Sequence, residues 1–101
     1  MEDKLKNLPS AYRNDIEKAV TILKEYGATE VYVFGSIVNG KFNENSDIDI
    51  AVRGLKSSEF YKVASILMFE LENEIDLIDL DDTNNSFSQM LLKIGGLLQI
   101  G

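Results

Sequence analysis

Apolar and polar positions along the chain change period several times, and each change marks an element. Tyr12, Ile16, Ala19, Val20, Leu23 and Tyr26 recur at helical spacing after Pro9. A proline fits the opening of a helix and Gly27 its stop, so a helix is expected over roughly 10–26. Glu30 to Phe34 is a β-branched and aromatic run that ends at Gly35-Ser36, as a buried strand running into a turn does. Asn39-Gly40 and Asn43 to Ser46 read as a polar loop. From Asp47 to Arg53 the period is two. Ile48, Ile50 and Val52 point one way; Asp47, Asp49, Ala51 and Arg53 point the other.

Helical spacing returns after Ser57 and Ser58, either of which can cap a helix. Its apolar positions are Phe60, Ala64, Leu67, Met68 and Leu71. Ile75 to Leu80 is the next strand. Asn84-Asn85-Ser86 can start a helix with Phe87, Met90, Leu91 and Ile94 on one face, ended by Gly95-Gly96. Leu97 to Ile100 forms a short last strand. The order α-β-β-α-β-α, with a final β, predicts an α/β (α+β) fold. Its small mixed sheet of three to four strands is backed by helices, within one domain over 1–101. The aromatic and methionine positions at helical spacing, Tyr12, Tyr26, Phe60, Met68, Phe87 and Met90, are expected in the core.

Composition narrows the chemistry. The chain has 101 residues with no cysteine and no histidine. Disulfides, thiolate catalysis, Cys/His zinc sites and a histidine base are thereby excluded. Carboxylates, hydroxyls, amides, lysine and arginine remain. The absence of cysteine, of a long apolar run and of an apolar core behind the charged start Met1 to Lys4 reads as a cytoplasmic protein. With 10 basic and 17 acidic residues the net charge is -7. Such a chain is repelled by nucleic-acid backbones. It favours a cation carrying a polyphosphate, or a basic protein surface.

Two features point to a site. Gly35-Ser36 stands where a strand ends; glycine allows close backbone approach, and serine offers a hydroxyl and an N–H to a phosphate oxygen. Asp47 and Asp49 lie on one strand face with Cα atoms roughly 6.5–7 Å apart. Neighbouring carboxylates raise each other's pKa, and a hard divalent cation relieves the repulsion. A third carboxylate comes from Ile75 to Leu80. Asp76 and Asp79 have opposite parity there, so only one can join the pair. Taken singly, each feature is also what a tight turn or a solvated strand face looks like.

In combination they are far more specific. Val31-Tyr32-Val33-Phe34-Gly35-Ser36, Gly40 and Ser46-Asp47-Ile48-Asp49-Ile50-Ala51-Val52, followed by a strand aspartate, resemble the minimal nucleotidyltransferases (MNT) of the DNA polymerase beta-like nucleotidyltransferase superfamily. The resemblance runs from the first helix to Leu98. It implies that Asp47, Asp49 and Asp76 are the catalytic and metal-binding residues, holding two Mg²⁺ ions. Gly35 and Ser36 would hold the β- and γ-phosphates of ATP. Asp76 is preferred to Asp79 because Ile75-Asp76-Leu77-Ile78 looks like the family's third-aspartate strand. Asn39 departs from the pattern, since many relatives carry arginine there; Lys41 and Arg53 are the nearby cations, and Arg53 shares the strand parity of the aspartates.

The resemblance also implies a partner. Such proteins are commonly antitoxins of HEPN-domain toxin ribonucleases and can transfer AMP from ATP to a tyrosine of the toxin. A non-catalytic antitoxin that neutralises by complex formation is the alternative, with a small-molecule nucleotidyltransferase behind it. The acidic run Glu70, Glu72, Glu74 reads as a solvated face or a contact for a basic partner.

Overall fold

A computed structural model describes residues 8–39 and 47–101. The expected loop at Gly40 and 43–46, together with Lys41, lies outside the described residues. In chain order the elements are α1 (Ser10–Glu25), β1 (Glu30–Phe34), α2 (Ser36–Asn39), β2 (Ile48–Arg53), α3 (Ser57–Glu70), β3 (Ile75–Asp79), α4 (Ser86–Ile94) and β4 (Leu98–Gln99). The sheet has four strands in the order β3-β2-β1-β4. β1 pairs antiparallel with both β2 and β4, while β2 and β3 run parallel, joined by α3. The expected mixed sheet is therefore present.

The alternation along β2 divides the molecule into two layers. Ile48, Ile50 and Val52 enter the main core with Val31 and Val33 of β1. Onto this face α1 sets Ile16, Ala19 and Leu23, and α3 sets Val63 and Leu67, all fully buried. The opposite face carries a smaller cluster, Phe34, Ala51 and Leu80, with Ile78 and Leu91 packed against it. α4 lies over that second face. Its Phe87 ring meets Phe34 at 6.0 Å between centroids. Asn85 caps α4, accepting from the N–H groups of Phe87 and Ser88, and buried Ser88 Oγ donates to the Asp79 carbonyl at 2.8 Å. No helix among the described residues is long and apolar enough to cross a membrane.

Several expectations change. Gly35-Ser36 leads into the one-turn helix α2, whose Ile37 is buried, and not simply into a turn. Lys56, without a side-chain cap, occupies the N-cap of α3 in place of Ser57 or Ser58. Met68 is 80% exposed, because the inward stripe of α3 runs through Val63 and Leu67, and the next residue is rotated about 100° away. Met90 is also exposed, and Phe87 stays 40% exposed although its ring meets Phe34, since Leu91 and Ser88 make the inner contacts of α4.

One buried charge was not legible from the helical pattern. Asp15 of α1 is 2% exposed. Its carboxylate accepts the Glu72 N–H at 3.1 Å, the Asn73 N–H at 2.8 Å and Asn73 Nδ2 at 2.8 Å. These charge-assisted bonds tie the turn before β3 to α1. Asp15→Ala strands those donors, and unfolding in urea is expected to show a loss of about 2–4 kcal/mol, with Asp15→Asn losing less.

Candidate active site

The site grows from the strand register. Asp49 stands opposite Phe34 of β1 on one side and opposite Asp76 of β3 on the other. Directly paired residues of neighbouring strands project from the same face. Asp49 and Asp76 therefore share the α4 side of the sheet. Asp47, two residues before Asp49 and just ahead of β2, has the same parity. Asp79 pairs with Val52, whose side chain enters the main core, so Asp79 belongs to the opposite face. Its carboxylate accepts the Asp81 N–H at 2.9 Å.

Gly35 completes the arrangement. Its φ is +74°, a conformation natural to glycine. A Cβ built there would overlap Asp49 Oδ2, so the bend and the carboxylate touch only because no side chain intervenes. The Gly35 carbonyl accepts the Val38 N–H at 3.0 Å, turning the chain from β1 into α2. Ser36 is the first residue of that helical turn, half-buried beside the carboxylates' strand end.

The electrostatics agree with the geometry. Asp47 and Asp76 are exposed, and Asp49 is half-buried. Burial pushes the Asp49 carboxyl above the ordinary carboxylate value, and the negative charges of Asp76 and then Asp47 push it further. No group of three or more Asp, Glu, His or Cys among the described residues is arranged by itself to hold a metal ion. Mg²⁺ does not ask for such a cage; it is usually held by one or two carboxylates, waters and substrate phosphates. The donors here are all hard oxygens, and the Gly35 bend lies directly against the Asp49 carboxylate.

Arg53 does not serve this site. It lies four residues along β2 from Asp49, roughly 13 Å at strand rise, and its guanidinium pairs with Asp81 at 3.1 Å. A cavity of about 570 Å³ lies elsewhere, lined by Leu55, Phe60, Tyr61, Asp79 and Asp81, and includes none of the three carboxylates. The α4-side face of the sheet around them forms a shelf on which Asp47 and Asp76 are exposed and Asp49 is half-buried.

Comparison with known proteins follows the same line. The model of the family described as polymerase beta, nucleotidyltransferase, matches residues 17–99. The chain belongs to this nucleotidyltransferase family. The protein adenylyltransferase MntA of Shewanella oneidensis is 34% identical over 68 residues, covering 64% of this chain and 49% of that protein. The chain thus spans about half the length of the curated relative it matches. A toxin–antitoxin crystal structure with AMP-PNP matches with a TM-score of 0.64 and 28% identity, over 85% of this chain and 69% of that one. A minimal nucleotidyltransferase structure, 19% identical, shares the fold with a TM-score of 0.69 over 94% of this chain and 99% of its own.

Two outcomes follow from the crowding at Asp49. Because its folded pKa lies above the unfolded one, the folded chain takes up the proton first as pH falls. The ionised form is thus penalised near neutral pH, and the penalty fades as pH drops through the raised value. Asp49→Asn is expected to raise the urea midpoint of the cation-free protein near neutral pH, with the advantage shrinking in acid. Gly35→Ala is expected to cost about 1–3 kcal/mol in the same assay, since it forces a left-handed alanine against Asp49.

Proposed function

We propose that the chain transfers AMP from ATP to a tyrosine hydroxyl of a partner HEPN-domain toxin, and so acts as its antitoxin. The observation that carries this reading is the register pairing of Asp49 with Asp76, with Asp47 on the same face and Gly35 against Asp49. The relative named as a protein adenylyltransferase and the toxin–antitoxin structure with AMP-PNP support the choice of nucleotide and partner.

Asp47, Asp49 and Asp76 are assigned as the catalytic residues, and as the ligands of two Mg²⁺ ions. Bound there, magnesium supplies Lewis acidity at the α-phosphate and neutralises the charge of the departing pyrophosphate. The protein's own residues then have distinct tasks. The Gly35-Ser36 bend receives the β- and γ-phosphates, since its glycine leaves the backbone open to approach and Ser36 offers a hydroxyl and an N–H. Asp76, exposed at the outer strand of the sheet, is assigned the proton of an incoming hydroxyl. That oxygen bonds to the α-phosphorus as the bond to pyrophosphate breaks, giving a phosphodiester on the acceptor. A nucleotide added to a ribonuclease surface blocks RNA by bulk and by charge. The acidic excess of this chain steers it to a basic target.

A second reading has its own support. By the family resemblance Asn39 stands where many relatives carry arginine, and Arg53, held by Asp81, is no substitute. A weak or idle transferase that silences the toxin by binding alone fits that fact.

Incubation of the purified pair with α-labelled ATP and magnesium separates the two. Transfer of label to the toxin is expected. It should be lost on chelation and reduced more than about 100-fold in Asp47→Asn with Asp49→Asn, because even groups that only orient a metal's ligands cost 10–100-fold. The complex itself should survive on gel filtration. Label transfer indifferent to both substitutions would refute the assignment; neutralisation without any label would establish the binding-only reading.

A further inference from the structure

Helix α3 is apolar on two sides. Its inner side, Val63 and Leu67, is buried on the sheet. Its outer side carries Tyr61, Met68 and Phe69, exposed by 79%, 80% and 92%. These positions, i, i+7 and i+8, form one outward stripe. Ser65 completes the stripe without breaking it, because its hydroxyl is turned onto the Tyr61 carbonyl at 3.0 Å. Three large, nearly bare side chains in one stripe are unusual for a surface whose polar residues are otherwise plentiful.

The stripe borders a groove of about 500 Å³ between the second half of α3 and the start of β3. Ala64, Met68, Leu71 and Ile75 give it an apolar lining, and Glu72 and Glu74 form a rim. Glu70 at the end of α3 is a third exposed acid beside Glu72 and Glu74, and Lys62, the basic residue next to Tyr61, lies 5.6 Å over the Tyr26 ring. Two copies of the chain meeting through this face would bring acidic rim against acidic rim, which disfavours a second copy as occupant. The complementary surface is an amphipathic helix with apolar anchors and flanking lysine or arginine, laid into the groove.

The groove also adjoins the carboxylates. β3 is an outer strand of the sheet. Ile75 lines the groove on one face, and Asp76, the next residue, projects from the other. A partner that grips the α3–β3 edge is held within one strand's width of Asp76 without covering it.

We infer that the Tyr61–Met68–Phe69 stripe and the groove beside it are the docking surface for a basic amphipathic helix of the partner that the carboxylate site modifies. This rests on the toxin-partner reading above. The test pairs the full chain with the purified HEPN-domain toxin. Met68→Glu with Phe69→Glu is expected to weaken binding more than about tenfold, as loss of central apolar anchors does. Since neither residue belongs to the carboxylate site, the toxin concentration giving half-maximal AMP transfer should rise by the same factor while the maximal rate holds. Glu72→Lys with Glu74→Lys should weaken binding too, and added salt should weaken the unaltered pair. Both pairs of substitutions fall on exposed or rim positions, and unchanged thermal melting checks that the variants fold. Undiminished binding by Met68→Glu with Phe69→Glu, when the unaltered chain binds, overturns the docking surface and leaves the antitoxin reading standing. An unaltered chain that does not bind the toxin overturns the partner reading and the docking surface together. A dimer of the chain alone that the same substitutions dissociate assigns the stripe to a second copy and likewise overturns it.

Discussion

Everything at the site depends on keeping like charges together across a parallel strand pair. Asp49 and Asp76 are register partners, and Asp47 shares their side of the sheet. Left to electrostatics alone they would separate. What holds them is the other face of the same strands. Ile48 and Ile50 are register partners of Ile75 and Leu77, and they insert into the main core with Val52. Each large aliphatic side chain so buried contributes about 1.5–3 kcal/mol. Repulsion between carboxylates that are exposed or half-exposed is screened by water and salt to about 1 kcal/mol or less at such distances. Packing therefore decides the register, and the charge crowding is carried as a local cost, visible as the raised pKa of Asp49.

A register set by packing must also be protected from slipping, because a shift of one residue would send Asp76 to the main core and Leu77 to the open shelf. Asp15 answers this from outside the sheet. By accepting three hydrogen bonds from Glu72 and Asn73 it fixes the turn three residues before Asp76 to helix α1. At the other end of the parallel pair, the Leu80 N–H donates to the Val52 carbonyl at 2.9 Å. Gly35 does the comparable work on the β1 side, leaving room for the Asp49 carboxylate where any other residue would press against it.

How far the sequence reveals this follows from the range of each signal. Period-two alternation is local, so the faces of β2 and the opposite parity of Asp76 and Asp79 could be read directly. Element order was equally legible apart from the one-turn α2, since Gly27, Asn85 and Gly95 punctuate it. The pairing of Asp49 with Asp76 joins residues 27 apart, and no local pattern encodes it; the family motif supplied it instead. Asp15 escaped notice because a buried aspartate beside Ile16 has the same spacing as a solvated one. For Arg53 parity was legible but not sufficient: its position along the strand and its bond to Asp81 keep it from the site. Met68, Phe87 and Met90 show that helical spacing says a residue is near an apolar face without saying whether anything covers that face.

Among the described residues the uncovered large apolar side chains fall on α3 and α4. On α3 they lie beside an acidic edge, and that edge is one residue from the carboxylate shelf. Both features impose the same demand, namely positive charge brought from outside the chain. The proposed answers are a cation with a triphosphate on the shelf and a basic protein surface at the α3–β3 edge. The strand β3 separates the two, with Ile75 facing the groove and Asp76 facing the shelf. On the proposed reading, a sheet edge only five residues long sets the means of holding a partner and the means of modifying it back to back. This economy is available because the edge strand is paired on one side only, so its outer rim has no strand neighbour within the sheet.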